Sequence, residues 1–356
     1  MDGEIHSGQL SRAAFSRATA ADDGEIRALL RDVPMQGALR IGFGREPSFF
    51  ANRAPAGNEE HTLVARRDGR LISVGSWSER EVWLHGKRQR VGYLHGLRMA
   101  PDTAGSMRVL RDGYAALARE TAGSQAVGWF TSIDASNTRA RRVLESRASG
   151  LPRYERIVDY LTRVFPVSKR GPVMPDMVVS MDELVDFLNR EGARYDLALA
   201  WDETRFSLED VSVVRRNGRI VAAAGVWDQS SWKQVVIHQY PRWVERLRPV
   251  AALGASFGLP ALPPAGSVVP LASVFPFAVN HDDALPELWR GLAGIARRRG
   301  IGWLALGLDA SDPMWQHLRR IGISYRTILY WVCGRGFPEA PLIGNGRIIR
   351  PECATL

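Results

Sequence analysis

Apolar and polar positions along the chain alternate between two periods, and the same succession occurs twice. FSRATA predicts a short strand, and ADDGEIRALLRD an amphipathic helix with acidic residues in its first turn, where the helix dipole favours them. A less regular stretch runs to Phe50. HTLVARR and RLISVGSWSEREVWL are β-rich runs separated by Asp68-Gly69, a turn dipeptide that tolerates positive φ, and together they predict an antiparallel hairpin. RVGYLHGLRM predicts a third strand, stopped by Pro101. From Ser106 to Thr121 the apolar spacing at Met107, Leu110, Tyr114, Leu117 and Ala118 is helical. AVGWFTSID then reads as a strand, Asn137 to Ser146 as a helix, and YERIVDYLTRVF as a closing strand.

The second half repeats that order. MDELVDFLNREG predicts its early helix, VSVVRRNGRIVAAAGVW its hairpin, SVVPLASVF its middle strand and DDALPELWRGLAGIARRR its long helix. IGWLALGLDA, DPMWQHLRR and ISYRTILYWVC predict strand, helix and strand. RRDGRLISVGSW at Arg66 is answered by RRNGRIVAAAGVW at Arg215, and Trp129 leading to Asp134-Ala135-Ser136 by Trp303 leading to Asp309-Ala310-Ser311. Such matched tokens point to duplication of one fold. The expected fold class is α/β (α+β): two tandem domains, each a mixed, mostly antiparallel sheet flanked by helices. The expected division is a tail at 1–13, a domain at 14–165, a linker at 166–175, a second domain at 176–335 and a tail at 336–356. The halves should pack together, and the paired tryptophans (Trp77 with Trp227, Trp129 with Trp303) read as core.

Composition narrows the function. An excess of 47 Lys+Arg over 38 Asp+Glu favours anionic partners. The arginines fall in short clusters (HGKRQR, RARR, ARRRG) rather than one stripe interleaved with aromatics, which argues against nucleic acid. Two cysteines, Cys333 and Cys353, make neither a disulfide framework nor a metal site, and the His residues are scattered, so no metal is expected. MDGEIHSGQL has no apolar signal-like region, and a cytoplasmic protein is expected. The uncharged run Pro249 to Val279 is broken by six prolines and three glycines; it reads as a Pro-rich loop leading into a buried strand, not a membrane span.

Leu97-Arg98-Met99-Ala100-Pro101, the loop and helix after it, and Asn137 with Ala140, Leu144 and Glu145 together resemble the GNAT superfamily of acyl-CoA-dependent N-acyltransferases. The resemblance covers about residues 14 to 165 and, more faintly, 175 to 335. It implies acetyl-CoA, or another acyl-CoA, as co-substrate and an amine of a small molecule or peptide as acceptor. Leu97, Arg98 and Met99 would lie against the pantetheine arm. Ala104, Gly105, Ser106, Met107 and Arg108, at the start of a helix, would hold the diphosphate on outward-pointing N–H groups. Asn137 and Arg141 would complete the cofactor site. Two departures stand out: the loop has Ala104 where the family has Arg and Met107 where it has Gly, and Leu144 occupies the place of the Tyr that protonates the leaving thiolate. Tyr154 or Tyr160 would have to reach in.

His95, two residues before Leu97, is the candidate base, since a histidine accepts a proton near neutral pH. Glu79 and Glu81 on the adjoining strand are candidates for attracting a cationic amine. The second copy is expected not to bind CoA, because Asp282, Asp283 and Glu287 crowd the start of its long helix and Pro286 removes a backbone donor. Two alternatives to an acyltransferase remain: a degenerate fold binding acyl-CoA or another anion as sensor or scaffold, and an aminoacyl transferase using charged tRNA.

Overall fold

The computed structural model describes residues 11–32, 40–51, 60–103, 106–171, 179–202, 208–242, 244–246, 260, 262–318, 322–341 and 346–356. The first half runs β1 (Ala14–Arg17), α1 (Asp23–Asp32), β2 (Arg40–Gly44), β3 (Glu60–Arg67), β4 (Arg70–Leu84), β5 (Lys87–Met99), α2 (Met107–Glu120), β6 (Trp129–Asp134), α3 (Thr138–Glu145) and β7 (Arg153–Pro166). The second runs α4 (Met181–Gly192), β8 (Val211–Arg216), β9 (Arg219–Trp227), β10 (Gln234–Gln239), β11 (Leu271–Val279), α5 (Leu285–Arg298), β12 (Trp303–Asp309) and β13 (Ile323–Cys333). DPMWQHLRR does not make a full helix. Asp312 caps Met314 N, Pro313 follows, and only a single 3₁₀ turn, Pro313–Gln316, forms.

The repeated hairpin turns alike in both halves. Asp68 and Gly69 have φ of 52° and 79°, and Asn217 and Gly218 have φ of 51° and 78°, two successive left-handed residues as a type I′ turn requires. In each half the opening arginine fastens the turn to the preceding helix. Arg66 donates to the Gly69 carbonyl (2.7 Å), to Asp22 just ahead of α1 (2.6 Å) and to Glu25 within it (2.7 Å). Arg215 donates to the Gly218 carbonyl (2.8 Å) and to Glu183 on α4 (2.6 Å). A second repeated token, Asp-Ala-Ser, also has a local cause: Asp134 and Asp309 each accept from the N–H and hydroxyl of the serine two residues on.

The two half-sheets join into one of eleven strands, in the order β1-β3-β4-β5-β6-β13-β7-β12-β11-β9-β8. The final strands are exchanged. β13 lies antiparallel to β6 (Val332 opposite Trp129, Thr327 opposite Asp134), and β7 lies antiparallel to β12 (Pro166 opposite Trp303, Tyr160 opposite Asp309). β7 and β13 pair with each other at the centre. The chain passes from one half to the other after β7, but the sheet does not break there.

One face of the first half carries α2 over Leu63, Trp77, Leu94 and Trp129. On the opposite face α4 packs over Val82, Val91, Tyr93 and Phe130 of the first half as well as strands of its own. α5 covers the β8, β9, β11 and β12 face, burying Leu288, Leu292 and Ala296 completely. The segment after β13 also turns inward: Ile349 and Ala354 are buried in the core beneath α4. A separate two-stranded sheet joins β2 of the first half to β10 of the second.

Candidate active site

β5 and β6 are parallel neighbours for only three residues, Gly92–Leu94 against Trp129–Thr131. Gly92 permits even that approach, because the Trp129 ring occupies the space a Cβ would need, 2.1 Å away. The last pair is pinned by Thr131 Oγ1 donating to the Leu94 carbonyl (2.7 Å). Beyond it the strands part. β6 turns to β13, and β5 bulges: Ser76 and Val74 of β4 face His95 and Arg98, so that three steps on β5 match two on β4. Gly96 takes φ of 68°, a conformation open to glycine at little cost.

The splay leaves a cleft of about 420 Å³ between the bulge, α2 and the start of α3. Of the residues expected at a cofactor site, Leu97, Arg98, Met99 and Asn137 line it, together with His95 and Tyr154. Leu97 is 42% exposed, with its backbone on the unpaired edge. Ser106 caps α2, its hydroxyl accepting from Val109 N, while Met107 and Arg108 occupy the first turn of that helix. Ala104 and Gly105 lie outside the described residues. Asn137 caps α3 through Ala140 N (3.1 Å).

Other expected residues point elsewhere. Arg141 turns from the cleft to Glu145 (3.2 Å), the Tyr330 hydroxyl (3.4 Å) and the Ala135 carbonyl (3.2 Å); Arg139, two residues earlier on α3, borders the cleft instead. Glu79 and Glu81 share the Trp77 side of β4, because strand side chains alternate. Glu79 borders a surface recess with Arg17 and Glu120, and Glu81 pairs with Arg90 (3.1 Å), so neither lines the cleft. The intervening Arg80 faces inward, 6% exposed, with its guanidinium 4.8 Å from the Tyr93 ring.

His95 stacks on Tyr93, ring centroids 5.2 Å apart. Burial, and then the nearby Arg45, Arg80 and Lys233, hold its imidazole down at about 4, with Glu60 opposing them. It is therefore neutral at physiological pH. Tyr154 is hydrogen-bonded to the Tyr114 hydroxyl of α2, and burial raises the Tyr154 phenol well above its usual range, so it keeps its proton. Tyr160 does not reach the cleft; its hydroxyl donates to the Pro351 carbonyl (2.7 Å).

The second half has a matching bulge whose chemistry differs. Val226 and Ala224 face Val274 and Phe277, with Gly225 opposite the bulge as Gly75 is in the first half. Counted from those glycines, Val274 stands for His95 and Pro276 for Leu97, so the backbone donor at that point is missing. Beyond the bulge, Asp282–Ala284 forms a 3₁₀ turn and Pro286 sits in the first turn of α5. A larger surface groove, about 900 Å³, runs along α4 and the second hairpin; Arg216, on its rim, is held by Glu287 (3.0 Å). Among the described residues no cluster of three or more His, Cys, Asp or Glu is placed to hold a metal ion, and no helix is long and apolar enough to cross a membrane.

Among solved structures, N-myristoyltransferase from Saccharomyces cerevisiae with bound myristoyl-CoA aligns over 96% of this chain and 83% of its own, with a TM-score of 0.56 at 11% identity. GCN5-related N-acetyltransferases from Sphaerobacter thermophilus (TM-score 0.49, 13% identity, 79% of this chain and 82% of that one) and Anabaena variabilis ATCC 29413 (0.48, 10%, 89% and 72%) also align. No family model and no curated protein matches the chain. The class defined by this architecture is the GNAT fold, in the arrangement that the yeast enzyme shares over nearly the whole chain.

Proposed function

We propose that the protein is an acyl-CoA-dependent N-acyltransferase whose co-substrate occupies the β5–β6 cleft of the first half. The observation carrying this reading is the splay itself: a bulged strand whose edge at Leu97 to Met99 has no strand partner on the β6 side, the Leu97 carbonyl accepting from the Arg98 guanidinium (2.9 Å), and which opens beside the capped start of α2. A pantetheine arm can add there as a strand would, pairing with backbone groups that β6 has left. The helix start favours its phosphates, and the alignment with an acyl-CoA-bound transferase supports the same occupant.

Chemistry then needs little beyond positioning, since a thioester is already activated. The acceptor nitrogen attacks the thioester carbon, the C–S bond breaks, and the thiolate leaves with the electron pair. His95 takes the proton from the acceptor nitrogen, directly or through water, and Tyr154 supplies one to the thiolate. The second half, with Pro276 and an acidic helix start, is assigned no cofactor.

The alternative of a non-catalytic acyl-CoA binder is favoured by the setting of His95, stacked on Tyr93 and enclosed near three cations, since burial there holds the imidazole down at about 4 and makes it a weak base. Calorimetry with acetyl-CoA and longer acyl-CoAs, followed by thiol release with a panel of amines, separates the two. Turnover establishes the enzyme, binding without turnover on any amine establishes the binder, and no binding of any acyl-CoA refutes both.

A further inference from the structure

The face of the splay away from α2 has a charge composition that acyl transfer alone does not require. Arg45 follows β2 and Lys233 precedes β10; because Gly44 pairs with Gln234, the two cations meet at the end of the small sheet. Like charges placed opposite each other weaken a strand pair. Arg45 lies 5.2 Å from the Trp232 ring and 5.6 Å from the Phe49 ring, and its Nη2 is 3.7 Å from Glu60 Oε1. Lys233 Nζ lies 5.6 Å from the Phe43 ring and 3.5 Å from the Leu356 oxygen. Arg80 rises from β4 beneath them, donating to Thr355 Oγ1 (2.7 Å). Arg45 Nη1 and Arg80 Nε are buried with no hydrogen-bond partner among the described residues.

These charges share one space. Arg45 and Arg80 both contribute to lowering Lys233, after burial, to about 8, and all three cations act on His95. Glu60 is the carboxylate that offsets them at both sites. Glu352, whose carboxyl accepts from Phe277 N, is raised by burial to about 8. His95, Lys233 and Tyr325 retain accessible surface, 39% for Tyr325, although burial is the main influence on each. Partly exposed and close enough to influence one another's charge, His95 and Lys233 border one recess on this face of the bulge.

We propose that this recess selects the acceptor: an amine that also carries an anionic group, carboxylate or phosphate, whose negative end sits between Arg45 and Lys233 while its nitrogen reaches His95. The inference rests on the acyl-transfer reading and sharpens it. Three desolvated cations face Glu60 and the Leu356 oxygen that Lys233 already contacts, and Arg45 Nη1 and Arg80 Nε still have no partner among the described residues, so a further anion can be held there; charge-assisted hydrogen bonds to a carboxylate or phosphate are the strong ones. The same anion offsets the cations that hold His95 down, so seating the acceptor makes the imidazole a better base when it is needed.

The test compares free amino acids with their amides, and phosphoethanolamine with ethanolamine, in thiol release from acetyl-CoA and in calorimetry on the CoA-loaded protein. We expect kcat/KM for one anionic series to exceed its neutral counterpart on the order of 10-fold to 100-fold, and the preferred series tells carboxylate from phosphate. Lys233→Met and Arg45→Met should each remove that preference by raising KM and leave acetyl-CoA affinity in place, whereas Lys233→Arg, which keeps the charge, should retain part of the preference. Neutral amines used as well as anionic ones, or variants that slow both series alike, would overturn the inference while acyl transfer stands. Anionic amines that bind through Lys233 to a protein that binds no acyl-CoA would overturn acyl transfer and leave the recess. Binding of neither overturns both.

Discussion

Replacing Leu97 with proline converts the first bulge to the chemistry of the second, where Pro276 holds that position. The substitution removes one N–H from the edge that the pantetheine arm would use. The ladder to β4 passes from His95 to Arg98 without Leu97, and the side chain is 42% exposed, so little packing is lost. The ligand carbonyl left unpaired costs about 1–3 kcal/mol, roughly a 5-fold to 150-fold rise in Kd. Leu97→Ala keeps the N–H and removes only exposed carbon, so its Kd should stay within about 3-fold of the parent, well under 1 kcal/mol. Calorimetry with acetyl-CoA on both variants, with circular dichroism as the control for folding, decides the matter. A folded Leu97→Pro protein with parental affinity, or an alanine variant that loses as much as the proline one, would refute the pairing of cofactor with this strand edge.

Gly92→Ala places a Cβ where the Trp129 ring lies and should destabilise by about 1–3 kcal/mol in denaturant melts, with recovery in a Gly92→Ala/Trp129→Leu double variant; unchanged melting would mean that Trp129 does not cross β5 as described. Arg66→Ala should cost about 1.5–3 kcal/mol, from lost charge-assisted bonds to Asp22. Because Arg66 holds the Asp22 and Glu25 carboxyls below their usual range, this stabilisation is present above about pH 4 and fades as pH falls through the depressed values; a pH-independent loss would count against the ion pair. His95 refuses a proton that the unfolded chain accepts, so its contribution to stability is full above about pH 6.5 and is lost as pH falls towards 4. His95→Gln should flatten that part of the stability profile and lower turnover; an identical profile would show that His95 is not the desolvated group.

Much of the fold can be read from the sequence because its signals are local. Asp68-Gly69 and Asn217-Gly218 state their turns, Ser106 and Asn137 their helix starts, and Leu97 to Met99 lead into the cleft. Pairing between distant segments has no such signal. β2 and β10 are short and irregular in pattern, and they are strands because of distant partners, each other and, for β10, the segment at 266–269; with them go Arg45, Lys233 and the recess. The exchange of β7 and β13 is equally silent, since a closing strand has the same alternation whichever neighbour it finds. Glu79 and Glu81 show a different failure. Period-2 alternation was correctly present, but only the packed faces reveal that the side towards the acceptor recess belongs to Arg80.

The exchange also bears on what the second half contributes to the first. Without the strands of the second half, the β6 edge from Trp129 to Asp134 would have no antiparallel partner, and β7 would lose both of its neighbours, β13 and β12. An exposed edge of that length invites association with other chains. The second half also sets Trp232 against Arg45, Lys233 beside Phe43 and Thr355 against Arg80, so this face of the first half is completed by residues from beyond position 230. The two halves thus contribute differently to one sheet. The first keeps the bulge with its backbone donors, and the second closes the sheet and furnishes the wall opposite. The proline at 276 leaves that structural contribution intact, because the ladder on either side of it is still made by Val274 and Phe277.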